Sequence, residues 1–383
     1  MKKKFGLYIH IPFCQKRCHY CDFLTFIGHD EMIKKYVKYL QKEIEMYKSE
    51  DAILDTIYIG GGTPSYLDED LMVEILQSLY STFSIDDQCE ITIEMNPESV
   101  KEEKIKTYLE NGINRFSMGV QSFDNEVLQI TGRLHNNVTV FKKLKLMRQL
   151  GCKNISIDLM MANPKQDYNV LLNDLTIATK LDIDHISYYS LILKEHTYFE
   201  LWLNQGQIEL FNPEEERKMY HTVVNTLKEH GFIQYEISSF AKAEKFMSKH
   251  NQKYWRLNDY FGVGMGAASN LGLIRNINTR DFDEYFEMIE NGEKPIKETE
   301  KLDIETREKE YLMLNLRMLN GFEIQDINKK FNIDFLKKYK DILNRNIENG
   351  ILKLENNRVS FTEYGIDNGN MFFRELYGLD EYI

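Results

Sequence analysis

Cys14, Cys18 and Cys21 fall within eight residues, in the run Cys14-Gln15-Lys16-Arg17-Cys18-His19-Tyr20-Cys21. The C-x3-C-x2-C spacing brings three thiolates to one short loop. Thiolates hold cubane iron–sulfur clusters, usually four to a cluster, so three leave one iron of a [4Fe–4S] cluster with an open position. The competing reading is a zinc site or three unrelated thiols. Structural zinc usually closes with a further Cys or His from a paired knuckle. No second C-x2-C occurs, although His19 offers a fourth ligand inside the loop. Cys89 and Cys152 are isolated and read as buried packing residues. Five cysteines, an odd and low count for this length, argue against a disulfide framework.

Other groups able to do chemistry recur further along. Gly60-Gly61-Gly62-Thr63-Pro64 follows a strand-like run, and glycines allow successive backbone amides to converge on an anion. Such a triplet alone is more often a tight turn. Glu94 stands in Glu94-Met95-Asn96-Pro97, where a carboxylate pairs with an ammonium or with ribose hydroxyls. Gln121 closes Ser117-Met118-Gly119-Val120-Gln121. Arg133, in Thr131-Gly132-Arg133-Leu134-His135, suits a carboxylate, and Asp158 lies in Ile157-Asp158-Leu159. Taken singly, each has a plainer reading as a solvated, packing or capping residue.

These groups need a scaffold that gathers them. Strand patterns at 7–13, 56–59, 91–95, 114–120, 154–160 and 185–193 alternate with helical patterns at 32–47, 71–80, 101–110, 138–150, 170–180 and 214–230. Six strand-then-helix units predict parallel α/β winding. They are too few for an eight-fold barrel, so an open, partial β6α6 barrel is expected over residues 1–210, with a flat doubly wound sheet as the alternative. In both, ligands collect at the C-terminal ends of strands, where most of these motifs fall. A smaller α+β domain is expected over 211–383. It contains the Gly-rich stretch 262–272, and from about 300 a helical end with a hairpin at 352–361, like a winged helix.

The composition limits the partners. A formal charge of −12 makes nucleic acid an unlikely match. No apolar run is long enough to span a bilayer. Lys2, Lys3 and Lys4 precede a stretch too short and polar for a signal peptide, so a cytoplasmic location is expected.

Tyr8-Ile9-His10-Ile11-Pro12-Phe13-Cys14, with Cys18-His19-Tyr20-Cys21-Asp22-Phe23, resembles the oxygen-independent coproporphyrinogen III oxidase family of the radical S-adenosylmethionine (SAM) superfamily. Within it the chain is most similar to the haem-chaperone branch called HemW. The resemblance runs from Tyr8 nearly to the C-terminus. It implies a [4Fe–4S] cluster on Cys14, Cys18 and Cys21, with SAM on the open iron. It also implies SAM contacts from Tyr8, Tyr20, Gly61, Gly62, Thr63, Glu94, Gln121, Arg133 and Asp158. One departure stands out: the family's Gly-Leu-Pro-Gly-Gln turn is replaced here by Met161-Ala162-Asn163-Pro164-Lys165-Gln166.

Three features separate chaperone from oxidase. The oxidases carry a fourth cysteine two residues after the third, where this chain has Phe23. They also carry several tens of residues ahead of the barrel, where this chain has seven before Tyr8. Finally, His250-Asn251-Gln252-Lys253-Tyr254-Trp255 matches the H-N-x-x-Y-W signature of the chaperone branch. His250 offers an imidazole to haem iron, and Tyr254 and Trp255 offer faces to a porphyrin; a packing role is the plainer alternative. Gly262-Val263-Gly264-Met265-Gly266 is not a dinucleotide fingerprint. The implied role is binding haem and delivering it to apo-haem proteins, with a homodimer or peripheral membrane contact as further implications. The alternatives are coproporphyrinogen decarboxylation, another radical modification of a tetrapyrrole, or a cluster-based redox sensor without turnover.

Overall fold

The computed structural model describes residues 3–49 and 52–379; Lys2 lies outside them. Strand β1 (Lys3–Ile11) leads through helix α1 (Asp30–Glu45) to β2 (Ala52–Gly61), α2 (Glu69–Thr82) and β3 (Ser84–Met95). Then come α3 (Glu102–Glu110), β4 (Arg115–Gln121), α4 (Asn125–Ile130), α5 (Asn137–Gln149), β5 (Ile155–Met161), α6 (Tyr168–Ala178) and β6 (His185–Ser190). The six strands pair in parallel, in sequence order. This is the α/β winding the periodicity predicts, and the sheet is open rather than closed into a ring.

Strand alternation sorts the side chains into two sets. Leu7, Ile9, Ile57, Ile59, Ile91, Ile93, Phe116, Met118, Ile155 and Ile157 belong to the buried core that includes the helices' apolar faces. On α1 that face is Tyr36, Val37, Leu40 and Ile44, spaced at one helical turn. Each such aliphatic side chain, fully buried, stabilises the fold by roughly 1.5–3 kcal/mol. The intervening positions are polar: Tyr8, Tyr58, Glu94, Ser117, Asp158 and Ser187. The register lines these up, with Tyr8 beside Tyr58, Glu94 beside Ser117, and Asp158 beside Ser187. The interior of the curved sheet is therefore a polar surface built before any ligand is considered.

After β6 the chain forms a short helix, α7 (Tyr198–Asn204), before α8 (Pro213–Glu229). The Thr197 side chain caps α7 by accepting from the Glu200 amide. The hairpin β7 (Ile233–Glu236) and β8 (Ser239–Ala241) adds antiparallel to β6. Helix α9 (Lys249–Trp255) follows, and β9 (Tyr260–Val263) adds parallel to the free edge of β1. Strands β10 (Ala268–Leu271), β11 (Ile274–Asn278) and, after α10 (Phe282–Glu290), β12 (Ile296–Lys301) extend that edge. One twelve-stranded sheet thus runs across residue 210. The Gly-rich stretch packs where β9 leaves β1: a Cβ on Gly262 would lie 2.1 Å from the Ala268 carbonyl oxygen.

The C-terminal part has its own core, with Leu312, Leu316, Phe322, Phe335, Leu343, Val359 and Phe372. It comprises α11 (Ile304–Asn315), β13 (Phe322–Glu323), α12 (Ile324–Phe331), α13 (Phe335–Lys338), α14 (Lys340–Glu348), β14 (Leu352–Glu355), β15 (Arg358–Phe361) and α15 (Glu363–Leu376). The expected hairpin is present as β14–β15. Its turn residues Asn356 and Asn357 both have positive φ, 50° and 60°, as a tight two-residue hairpin turn requires.

Candidate functional site

At the C-terminal ends of β1–β6 the polar faces open into a cavity of about 350 Å³. Cys14, Cys18, Tyr20, Cys21, Gly61, Gly62, Thr63, Glu94, Gln121, Arg133 and Asp158 all line it. Tyr8 sits one layer away. Its hydroxyl donates to Nδ1 of His10 at 3.0 Å, and its ring stacks on Tyr58 with centroids 6.3 Å apart.

The cysteine loop is tied down along its length. The Cys14 amide donates to the Phe26 carbonyl at 3.1 Å, and Arg17 forks onto the Cys21 carbonyl at 3.2 and 3.0 Å. The Cys14 thiol lies 3.3 Å from the Thr63 hydroxyl, and Arg133 Nη1 donates to Cys18 Sγ at 3.4 Å. Burial pushes the Cys14 thiol up to about 12 and the Cys21 thiol up to about 11. A cation beside them would bring both back towards the thiolate. His19 is turned away from them. Its Nδ1 donates to the Ile130 carbonyl at 2.8 Å and its ring packs edge-on to Trp202 and Tyr198. Among the described residues no three His, Cys, Asp or Glu side chains converge on a single-ion site. The three thiols line one cavity.

The glycine turn departs from the expected amide cradle. The Gly61 amide donates to Glu94 Oε2 at 3.2 Å, the Gly62 amide to the Ile11 carbonyl at 2.8 Å, and the Thr63 amide to the Phe13 carbonyl at 2.9 Å. The donors are spent on sewing β2 to β1 and β3, so the turn does not converge amides on an anion. Its glycines serve close packing instead. Gly61 has φ +116° and a Cβ there would lie 2.7 Å from the His10 ring; one on Gly62 would lie 3.0 Å from Cys14 Sγ.

Glu94 accepts from the Tyr58 hydroxyl at 2.6 Å. Burial raises its carboxyl to about 7, with the bonds from Tyr58 and Gly61 opposing and the Asp158 charge adding. Burial also raises Asp158, while hydrogen bonds from Ser187 and Ser117 and the Arg115 charge hold it down. Arg133 Nη2 bonds Asn96 at 2.6 Å and the Gly119 carbonyl at 2.5 Å. Gln121 reaches the cavity from a left-handed backbone, φ +69°.

The H-N-x-x-Y-W segment is helical. It forms α9, which closes the N-terminal end of the curved sheet. Glu90 on β3 accepts from the amides of Lys249 and His250 at 3.1 and 3.0 Å, and Lys253 pairs with Asp55 at 2.7 Å. His250 is fully buried. Its Nδ1 hydrogen-bonds the Thr56 hydroxyl at 2.9 Å and its Nε2 the Tyr254 hydroxyl at 2.8 Å, so neither nitrogen is free for iron. Trp255 packs against the Arg317 guanidinium, 4.5 Å from its ring, and Tyr254 is edge-on to Tyr260. Both rings are spoken for. Asn251, by contrast, lines the cavity.

Residues 8–175 match the Radical SAM superfamily and residues 302–367 the HemN C-terminal domain. The chain is 34% identical over 374 residues to a Bacillus subtilis protein named "Heme chaperone HemW", covering 97% of this chain and 98% of that one. It is 33% identical over 381 residues to the Lactococcus lactis protein of the same name, covering 100% and 99%. This chain belongs to the HemW family. Among solved structures, Escherichia coli coproporphyrinogen III oxidase (HemN) shares the fold, with a TM-score of 0.83 over 97% of this chain and 90% of that one at 21% identity. Membership of the radical SAM superfamily implies binding of a [4Fe–4S] cluster and SAM.

Within this HemW-family frame, the atypical turn after Asp158 is explicable. Ala162 and Lys165 have φ +59° and +69°, the left-handed geometry that glycine adopts most readily. Asn163 Nδ2 donates to the Met160 carbonyl at 2.7 Å, which braces the loop. The sequence pattern did not single out Tyr58, Arg115, Ser187 or Tyr189, which also line the cavity. For Arg115, its place two residues before Ser117, on the same face of the strand, was the available signal.

Proposed function

We propose that this chain is a cytoplasmic haem chaperone, binding haem and transferring it to apo-haem proteins. The observation that carries the reading is end-to-end similarity to proteins named heme chaperones. The mouth of the cavity supports it. Phe23 occupies the position of the oxidases' fourth cysteine and is 60% exposed, and Tyr189, on the same lining, is 42% exposed. Exposed aromatic faces at a cavity mouth suit a flat apolar macrocycle.

In this reading Cys14, Cys18 and Cys21 would hold three irons of the [4Fe–4S] cluster, and SAM would take the fourth through its amino and carboxylate groups. When bound and reduced, that cluster supplies the electron for reductive cleavage of SAM. The chain's own residues do the rest. Glu94 and the carbonyls of the 60–62 turn accept hydrogen bonds from the N–H groups of the SAM amine. Arg133 sets positive charge beside the carboxylate, Gln121 and Asp158 receive the ribose, and Tyr8 and Tyr20 pack the site. The division at residue 210 is one of role: cluster and SAM before it, floor and covering elements after it. A homodimer, or peripheral contact with a membrane, would use the exposed Ile192, Tyr198 and Leu201 beside the mouth. Among the described residues no helix is long and apolar enough to cross a membrane.

The test is anaerobic. Reconstituted protein should bind haem stoichiometrically, transfer it to an apo-haem protein, and form no protoporphyrinogen from coproporphyrinogen with SAM and reductant. Robust SAM-dependent product would overturn the chaperone reading. Partner activity that tracks cluster oxidation without haem transfer would mark a sensor instead.

A further inference from the structure

The cavity has a floor drawn from the C-terminal half of the chain, and the floor is connected to the walls. His250 lies under Tyr58, ring on ring, with centroids 5.2 Å apart and planes 30° from parallel. Its two nitrogens are fixed by Thr56 of β2 and by Tyr254 one turn along the same helix. Tyr58 in turn donates to Glu94 Oε1, whose other oxygen accepts the Gly61 amide. A continuous chain therefore runs from the α9 imidazole, through one tyrosine, to the carboxylate and the glycine turn. The next residue of α9, Asn251, lines the cavity, and its backbone amide donates to the Ser248 cap. Glu90 holds the helix N-terminus in place.

We propose that the His250–Asn251 pair belongs to the SAM site: Asn251 contacts the ligand, and His250 is a positioning residue that sets Tyr58 and through it Glu94. The inference rests on reading this cavity as the SAM site. It reassigns the H-N-x-x-Y-W segment from haem iron to the floor beneath SAM. Geometry gives the reason. An imidazole that ligates iron needs one nitrogen free and an open approach, and His250 has neither. An imidazole that orients a ring needs both nitrogens held and a stacked face, and His250 has both. The selection of histidine follows, since Phe would keep the stack and lose the two bonds that fix its plane.

Three variants test this in the full-length, anaerobically reconstituted protein: His250→Phe, Tyr58→Phe and Asn251→Ala. SAM affinity is measured by equilibrium binding, and the cluster's electron paramagnetic resonance signal is recorded before and after SAM is added. Haem is titrated separately by its Soret band. Each variant should retain wild-type iron and bind SAM about tenfold more weakly, the equivalent of one charge-assisted hydrogen bond. The SAM-induced change in the resonance signal should shrink, and haem affinity should hold. His250→Phe and Tyr58→Phe combined should lose less than the product of the two, because they act in one chain. SAM affinity within twofold of wild type in Tyr58→Phe and Asn251→Ala would overturn the proposal, whether or not His250→Phe folds. So would loss of haem binding in His250→Phe with SAM binding intact, an outcome that leaves the chaperone reading standing. Wild-type protein that binds SAM but no haem would remove the chaperone reading and leave this one. Wild-type protein that binds no SAM would overturn this one.

Discussion

Arg133 donates to the Cys18 thiol at 3.4 Å from one guanidinium nitrogen and holds the Gly119 carbonyl and Asn96 with the other. It pins the cysteine loop to the end of β4. Arg133→Met keeps the bulk and removes the donors to three acceptors, of which the two oxygens, on Gly119 and Asn96, are left short of a partner at roughly 1–3 kcal/mol each. The expected result is an apo-protein less stable by about 2 kcal/mol in urea unfolding. After reconstitution it should retain less iron through anaerobic desalting than wild type. Equal iron retention would show that the loop holds its shape without Arg133.

Gly62 offers a sharper perturbation of the same loop. An added Cβ would sit 2.8 Å from the Phe13 carbonyl oxygen and 3.0 Å from Cys14 Sγ. The carbonyl belongs to backbone and cannot swing aside, so the strain is relieved by moving Cys14. Gly62→Ala should keep its secondary structure by circular dichroism and lose cluster occupancy, read as iron and acid-labile sulfide per chain. Full occupancy would mean that the turn has slack.

Glu94 predicts a pH dependence. Its carboxyl is raised to about 7 in the folded protein by burial. An acid whose folded pKa exceeds its unfolded one binds more protons when folded. Its contribution to stability is therefore greatest below the unfolded carboxylate range and declines as pH rises towards 7. SAM binding runs the other way. In the proposed site the iron-bound SAM amine donates more strongly to the ionised carboxylate than to the neutral acid, so affinity should rise as pH increases through about 7. Tyr58→Phe removes a bond to the carboxylate and should move that rise to higher pH. SAM binding measured from pH 6 to 8 checks both signs, and a flat profile would show that Glu94 does not face the SAM amine.

Much of this arrangement was legible in the residues, for a physical reason. The strands alternate strictly, so the same run that declares a strand also separates Ile57 and Ile59 from Tyr58, and Ile91 and Ile93 from Glu94. The cysteines are local in sequence, and short spacings survive any fold. What the sequence did not reveal is which groups meet across distance. The Gly61, Gly62 and Thr63 amides read as free donors until the register gave them Glu94, Ile11 and Phe13 as acceptors. His250 read as an available imidazole beside aromatic faces, because nothing in six residues says that Thr56, almost two hundred positions earlier, will take one of its nitrogens. The short helix α7 escaped notice because seven residues carry too few turns to show a period.

The turn after Asp158 carries a last prediction. Ala162 and Lys165 hold φ +59° and +69°, where a Cβ crowds the following carbonyl and costs roughly 1–2 kcal/mol. Glycine removes that cost but adds unfolded-chain entropy, so the net gain is smaller. Ala162→Gly and Lys165→Gly should each stabilise the protein by roughly 0.5–1 kcal/mol, seen as a higher urea midpoint with an unchanged slope. Ala178→Gly, in helix α6, is the control and should destabilise by about 1 kcal/mol or more. The gain need not come with better ligand binding. Asn163 and Gln166 brace the turn from within: Asn163 Nδ2 donates to the Met160 carbonyl at 2.7 Å, and Gln166 Oε1 accepts from the Asn163 amide at 3.2 Å. If both glycine variants lose stability, those braces depend on the Cβ groups, and the strain at Ala162 and Lys165 is already repaid by the packing around them.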